Sequence, residues 1–139
     1  MTMIFVNLPV ESLERSVTFF TKLGFSFNPD YTDEKATCMI ISENVFAMLL
    51  VKPFFHSFTP HTQVADAHTT TEVLVAISRP TREAVDEMIQ KALEAGGRED
   101  RKPQDLGFMY QRAFADPDGH QWELVWMADS SGTGHQPAQ

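Results

Sequence analysis

The chain has 139 residues, 42% of them hydrophobic, and a formal charge of −8 from 19 acidic and 11 basic side chains. That is enough apolar material for one compact core or two small packed modules, and it excludes a disordered chain. No basic cluster offsets the negative charge, which excludes nucleic acid and anionic membrane as expected partners.

No apolar run approaches the roughly 18 residues that a membrane span needs. Met1-Thr2-Met3-Ile4 has neither a basic region nor a cleavage site, so a cytoplasmic location is expected. Cys38, the one cysteine, excludes a disulfide framework and reads as a buried, inert thiol in a strand. Residues 1–52 hold 6 acids and 4 bases, and residues 53–139 hold 13 and 7, so most of the negative charge is in the second part.

In chain order, Ile4 to Val10 reads as a strand. Ser12 then caps a helix whose Leu13, Val17, Phe20 and Leu23 recur at helical spacing until Gly24 stops it. Three strand-like runs follow, Phe25 to Thr32, Lys35 to Ile41 and Val45 to Val51, the last two joined by Ser42-Glu43-Asn44. Residues 53–70 form a long connection containing Phe54, Phe55 and Phe58. These aromatics would either lid a binding cleft or dock on the core. His56, His61 and His68 lie in the same stretch at spacings that match no local metal motif.

A second pass begins with a strand over Glu72 to Ser78 and a helix start at Pro80-Thr81. Val85, Met88, Ile89, Ala92 and Leu93 then make an apolar stripe, Glu87 and Lys91 can pair outside it, and Gly96-Gly97 ends it. A short strand near Arg98 to Lys102 and a hairpin over residues 108–127 complete the copy.

The predicted fold is therefore α+β. Two paired βαβββ modules, residues 3–52 and 71–128, form a curved, cleft-enclosing mixed sheet with helices on the outside. They make one domain over residues 1–128, and residues 129–139 are expected to be a flexible tail.

The hairpin turn is Asp116-Pro117-Asp118-Gly119, where proline sets one corner and glycine takes the left-handed position. Beyond it Glu123 stands among Trp122, Leu124, Val125 and Trp126. A carboxylate there needs water, a cation or a ligand. Arg112 supplies the cation if the hairpin loop has two residues. A type I turn with a glycine bulge sends Arg112 to the other face instead.

These features resemble the vicinal oxygen chelate superfamily, which includes glyoxalase I, bleomycin-resistance proteins and extradiol dioxygenases. The residues that carry the likeness are Leu8-Pro9-Val10-Glu11-Ser12-Leu13-Glu14-Arg15 through Gly24-Phe25, the doubled module order, and Asp116-Pro117-Asp118-Gly119-His120-Gln121-Trp122-Glu123-Leu124. Ile4 to Val10 and Gly107-Phe108-Met109-Tyr110 look like the lactoylglutathione-lyase-related branch.

The resemblance implies metal-ligand places on the first and last strand of each module, here Phe5, Met48, Glu72 and Glu123. Only Glu72 and Glu123 could hold an ion. The implied cofactor is thus either a weakly bound divalent ion (Ni, Zn, Mg, Mn or Fe) or none. Without metal, Glu72 and Glu123 facing each other would share a proton and serve as a general acid/base pair. The substrate-binding set is Phe5, Asn7, Met48, Leu50, Leu74, Tyr110 and Arg112. Tyr110 either donates a hydrogen bond to a substrate oxygen or packs with its hydroxyl in water.

Two functions compete at this point. One is a lyase or isomerase acting on a small oxygenated or thiol-conjugated compound. The other is a metal-free protein that sequesters a cationic antibiotic. Either partner is a small molecule, and the chain is expected to form a homodimer.

Overall fold

Pro9 has no amide hydrogen to give a sheet, so the strand that holds it belongs at an edge. In the computed structural model, which describes residues 1–128, that strand is β1 (Ile4–Val10). It runs parallel to β4 (Val45–Val51). The sheet continues antiparallel through β3 (Ala36–Ser42) to β2 (Ser26–Asn28), in the order β1-β4-β3-β2. The expected tail, residues 129–139, lies outside the described residues.

Helix α1 (Leu13–Lys22) starts where the Ser12 hydroxyl accepts the Arg15 amide at 3.1 Å. It ends as Gly24 turns to φ +106°. The helix buries Ser16, Phe19 and Phe20, so its inward stripe is rotated from the expected one and Val17 is only half-buried. The expected third strand over 25–32 stops at Asn28. Pro29 cannot donate to a ladder, and the Asn28 side chain instead accepts the Asp30 amide at 2.9 Å to cap a short 3-10 turn over Pro29–Tyr31. The connection after β4 also contains a helix that the sequence reading lacked, α2 (Lys52–His56), with proline in its first turn.

The chain divides into two compact units between Thr70 and Thr71. In the second unit β5 (Leu74–Ser78) runs parallel to β8 (Gln121–Met127). The latter pairs antiparallel with β7 (Met109–Ala115), which pairs with the two-residue β6 (Gln104–Asp105), giving the order β5-β8-β7-β6. Each unit is thus a four-stranded mixed sheet carrying a helix, as the α+β reading requires. The strand expected near Arg98 to Lys102 is reduced to one bridge between Arg98 and Ala115.

Helix α3 (Arg82–Glu94) is capped by Thr81, whose hydroxyl accepts the Ala84 amide at 3.0 Å. It packs on β7 and β8. Val85, Met88, Ile89 and Ala92 are buried on that side, as are Phe114, Trp122 and Leu124 of the sheet. Each large apolar side chain so enclosed contributes about 1.5–3 kcal/mol. Among the described residues no helix is long and apolar enough to cross a membrane.

The β7–β8 loop decides which residues share a face. Gly119, at φ +89°, donates its amide to the Asp116 carbonyl at 2.9 Å, and the Asp116 amide reaches the His120 carbonyl at 3.0 Å. This is the turn with a glycine bulge, so Ala113 stands opposite Glu123 and Arg112 opposite Leu124. Arg112 therefore points to the α3 side, away from Glu123.

Candidate functional site

Strand alternation places Glu123 on the open face of the second sheet, because Trp122 and Leu124 on either side of it are fully buried against α3. Its cross-strand neighbours are Ala76 on β5 and Ala113 on β7. Two methyl groups leave space over the carboxylate. Glu123 is nevertheless only 14% exposed, because Arg101 reaches in from the loop before β6 and its Nη1 donates to Oε2 at 2.7 Å. The cation that satisfies Glu123 is therefore Arg101, not Arg112. Beside this pair lies a recess of about 290 Å³ lined by Arg101, Lys102, Pro103, Gln104, Gln111 and Ala113, together with Arg112.

The opposite face holds a separate network. Arg112 grips Glu99 with Nε and Nη2 at 2.8 and 2.7 Å, and its Nη1 donates to Asp86 at 2.8 Å. The Tyr110 hydroxyl donates to the same Asp86 oxygen at 2.6 Å. That bond, aided by Arg112, holds the Asp86 carboxyl below the usual carboxylate range, against the effect of its partial burial. Burial and the bond to Asp86 push the Tyr110 phenol up. Arg82 lies over the rings of Tyr110 and Trp126 at 5.0 and 4.9 Å and binds both oxygens of Asp105 at 2.8 Å. The Arg82 bonds hold Asp105 down at about 2. Tyr110 and Arg112, expected in the ligand-binding set, are thus engaged with α3 and the loops around it, on the far side of the sheet from Glu123.

The hairpin turn is a third polar cluster. Asp116 is buried and accepts the Asp118 and His120 amides at 2.9 and 3.0 Å and the Trp122 indole at 3.0 Å. Burial pushes this carboxyl up, against the pull of His120 and of the indole bond.

Glu72 does not face Glu123. The register pairs Ala76 with Glu123, β5 begins only at Leu74, and Glu72 is an exposed residue ahead of the strand. It lies four residues ahead of Ala76, the position beside Glu123, in a bend that precedes the strand. The strand pairing therefore does not set the two acids side by side. The reason lies in the register. Phe5 pairs with Phe46 and Leu74 with Gln121, so the second-unit equivalent of Phe5 is Leu74, two residues after Glu72.

In the first unit Phe5, Asn7, Met48 and Leu50 do share one face of their sheet. Phe5 stacks on Phe46 at 5.0 Å, Asn7 turns its carboxamide back to the Phe5 carbonyl at 3.3 Å, and Leu50 is buried. Leu74 is on the Glu123 face of the second sheet and is 51% exposed.

A divalent ion does not fit this donor set. Phe5 cannot coordinate, the Met48 thioether is a poor partner for a hard ion, Glu72 is remote, and Glu123 is committed to a guanidinium. Among the described residues no three His, Cys, Asp or Glu side chains are grouped to hold a metal. In the loop, His56 Nε2 lies 2.9 Å from the His61 carbonyl, and Phe54 packs edge-on against Phe58 at 4.9 Å. Cys38 is buried, which pushes its thiol up and away from nucleophilic use.

Two sheets of the same strand order, each a βαβββ unit, define the class of protein. The match to known families is more specific: residues 2–124 fit the model of the Glyoxalase/Bleomycin resistance protein/Dioxygenase superfamily. The chain belongs to that superfamily.

Among solved structures it is similar to hypothetical protein SA1046 from S. aureus, with 26% identity, a TM-score of 0.75 and coverage of 90% of this chain and 93% of that one. A glyoxalase/bleomycin resistance protein/dioxygenase family enzyme from Burkholderia phytofirmans PsJN shares 15% identity, with a TM-score of 0.76 and coverage of 90% and 98%. A bleomycin-binding protein solved in complex with bleomycin shares 14%, with a TM-score of 0.61 and the same coverage. The last two likenesses concern the fold alone. No functionally curated protein matches the chain.

Proposed function

We propose that the protein binds a small molecule on the open face of its second sheet, around Arg101 and Glu123, without a divalent ion held by Glu123. The observation that carries this reading is the 2.7 Å ion pair beside a recess of about 290 Å³. The recess is close to the small end of ligand-site volumes, roughly 300–1,000 Å³. A carboxylate already satisfied by a guanidinium has little to offer a metal or a cationic drug. The family contains both binding proteins and enzymes, and the incomplete ligand set favours binding.

A second reading keeps Glu123 as the base of a lyase or isomerase acting on a small oxygenated or thiol-conjugated compound. It is favoured by the small side chains of Ala76 and Ala113, which leave room above the carboxylate.

The test combines metal analysis of chelator-free protein with a thermal-shift screen of small molecules on the wild type and on Gln111→Trp, which fills the recess beside Arg101. The expected result is a metal content far below stoichiometric that Glu123→Gln leaves unchanged, with ligands that raise the Tm of the wild type and not of Gln111→Trp. Near-stoichiometric metal lost in Glu123→Gln overturns the proposal. Turnover of a compound, abolished by the same substitution, establishes the second reading in its place.

A further inference from the structure

Three arginines of the second unit each grip a carboxylate through two nitrogens. Arg82 binds both oxygens of Asp105, Arg98 both oxygens of Asp100, and Arg112 both oxygens of Glu99 and one of Asp86. Arg101 is different. It gives Nη1 alone to Glu123, leaving Nε and Nη2 without a partner among the described residues, and its side chain is 45% exposed. Lys102 beside it has no anionic partner there, and the carboxamides of Gln104 and Gln111 have no hydrogen-bond partner there.

All four side chains line the same recess, and no acidic residue lines it. Arg101 and Glu123 cancel, and the charge of Arg112 is spent on Glu99 and Asp86. Lys102 therefore leaves one uncompensated positive charge in a chain whose formal charge is −8.

We infer that this recess is an anion site that takes the carboxylate or phosphate group of a small ligand. Arg101 and Lys102 supply the charge, Gln104 and Gln111 supply neutral donors, and Glu123 acts as the internal counter-ion that holds Arg101 in place. The inference rests on the binding function proposed above and names the chemical class of the ligand. A guanidinium with one edge free and an ammonium beside it suit a group with two or three acceptor oxygens. The unpaired carboxamides can donate to the remaining oxygens. A cationic ligand would meet Lys102 with no acid left to receive it.

The test is a titration at low salt, followed through the side-chain amide NMR signals of Gln104 and Gln111. Succinate and glycerol 3-phosphate are the anionic probes, choline the cationic one and glycerol the neutral one. Saturable shifts are expected with at least one anion, and the preferred anion tells carboxylate from phosphate. Lys102→Gln weakens that binding roughly three- to tenfold. Glu123→Gln strengthens it several-fold, because it removes the competing internal carboxylate, whereas a catalytic or metal-binding Glu123 predicts no such gain.

The inference is overturned if neither anion saturates, if Lys102→Gln leaves the anion affinity unchanged, or if Glu123→Gln weakens it. Saturation of the Gln104 signal by choline or glycerol that Gln111→Trp abolishes leaves the binding function standing and refutes the anion site alone. If no probe shifts these signals and the thermal-shift screen finds no ligand, both fall.

Discussion

The two units share a strand order and differ in where they put their bulk. In the first, the aromatic mass is on the helix, where Phe19 and Phe20 meet edge-on at 5.0 Å and Phe20 contacts Phe25 at 5.9 Å. The sheet beneath offers small or flexible partners, Ala47 and Met39. In the second, α3 is aliphatic and the sheet carries the rings, Phe114 and Trp122, stacked at 6.3 Å. Ala47 and Trp122 occupy equivalent places, as do Met39 and Phe114. The difference has a polar consequence. An indole N–H buried in a core needs an acceptor, and the hairpin turn supplies it in Asp116, which ties the second unit's loop chemistry to its core. Ala47, in the first unit, has no side-chain polar group to satisfy, and the β3–β4 turn there instead accepts the Ile4 amide of β1 on the Asn44 carbonyl at 2.9 Å.

The sharpest way to break this comparison is Trp122→Ala. It removes a fully buried ring from the stack and leaves Asp116 without one of its three donors, so a loss of about 3–5 kcal/mol is expected in urea unfolding followed by far-UV circular dichroism. Trp122→Phe keeps most of the ring volume and loses the indole bond, and about 1–3 kcal/mol is expected by the same measurement. A loss near zero for Trp122→Phe would show that Asp116 contributes nothing through the indole.

A second contrast concerns the open faces. Met48 and Glu123 are equivalent, but only Glu123 has a cation beside it. Met48→Glu places a half-buried carboxylate beside Cys38 and Asn7 with no counter-charge, at a cost of about 1–3 kcal/mol. Glu123→Met breaks a pair whose arginine is half in water, and less than about 1 kcal/mol is expected. The two thermal melts should differ in that order. A larger loss for Glu123→Met would mean that Arg101 is held far more tightly than its exposure implies.

The doubled architecture was legible because each unit writes it in hydrophobic period and cap residues. Ile4 to Val10 and Val45 to Val51 are strands end to end, and Ser12 and Thr81 cap their helices. The site was legible only in part. Glu123 was singled out as a carboxylate in need of a partner, but its partner sits 22 residues away in a loop without regular structure, and no periodicity points from one to the other. Glu72 was placed two positions too early, because the stretch from β5 to β8 is longer than that from β1 to β4 and only backbone pairing fixes the register. Arg112 depended on the hairpin loop, and both turn types were compatible with Asp116-Pro117-Asp118-Gly119. The glycine bulge decided it.

The α3 side of the second sheet, where Arg82 and Arg112 hold the carboxylates of Asp105, Glu99 and Asp86, gives the remaining tests. Arg112→Met strips Glu99 and Asp86 of their shared cation while Arg112 itself is 20% exposed, so about 1–3 kcal/mol is lost at neutral pH. The smallest effect belongs to Arg82→Met, and its sign with pH is its signature. Arg82, helped by the Gly107 amide at 2.9 Å, lowers the Asp105 carboxyl from 3.8 to about 2 in the folded protein. A depressed carboxyl binds its proton less readily folded than unfolded, so the stabilisation is complete above about pH 4 and fades as the pH falls towards 2. The Tm difference between wild type and Arg82→Met should therefore shrink across that interval while the stacking of position 82 on Tyr110 and Trp126 persists as a pH-independent remainder, read by intrinsic fluorescence. A difference that stays constant from neutral pH down to about 2 would assign the whole role of Arg82 to its packing on the two rings and none to Asp105.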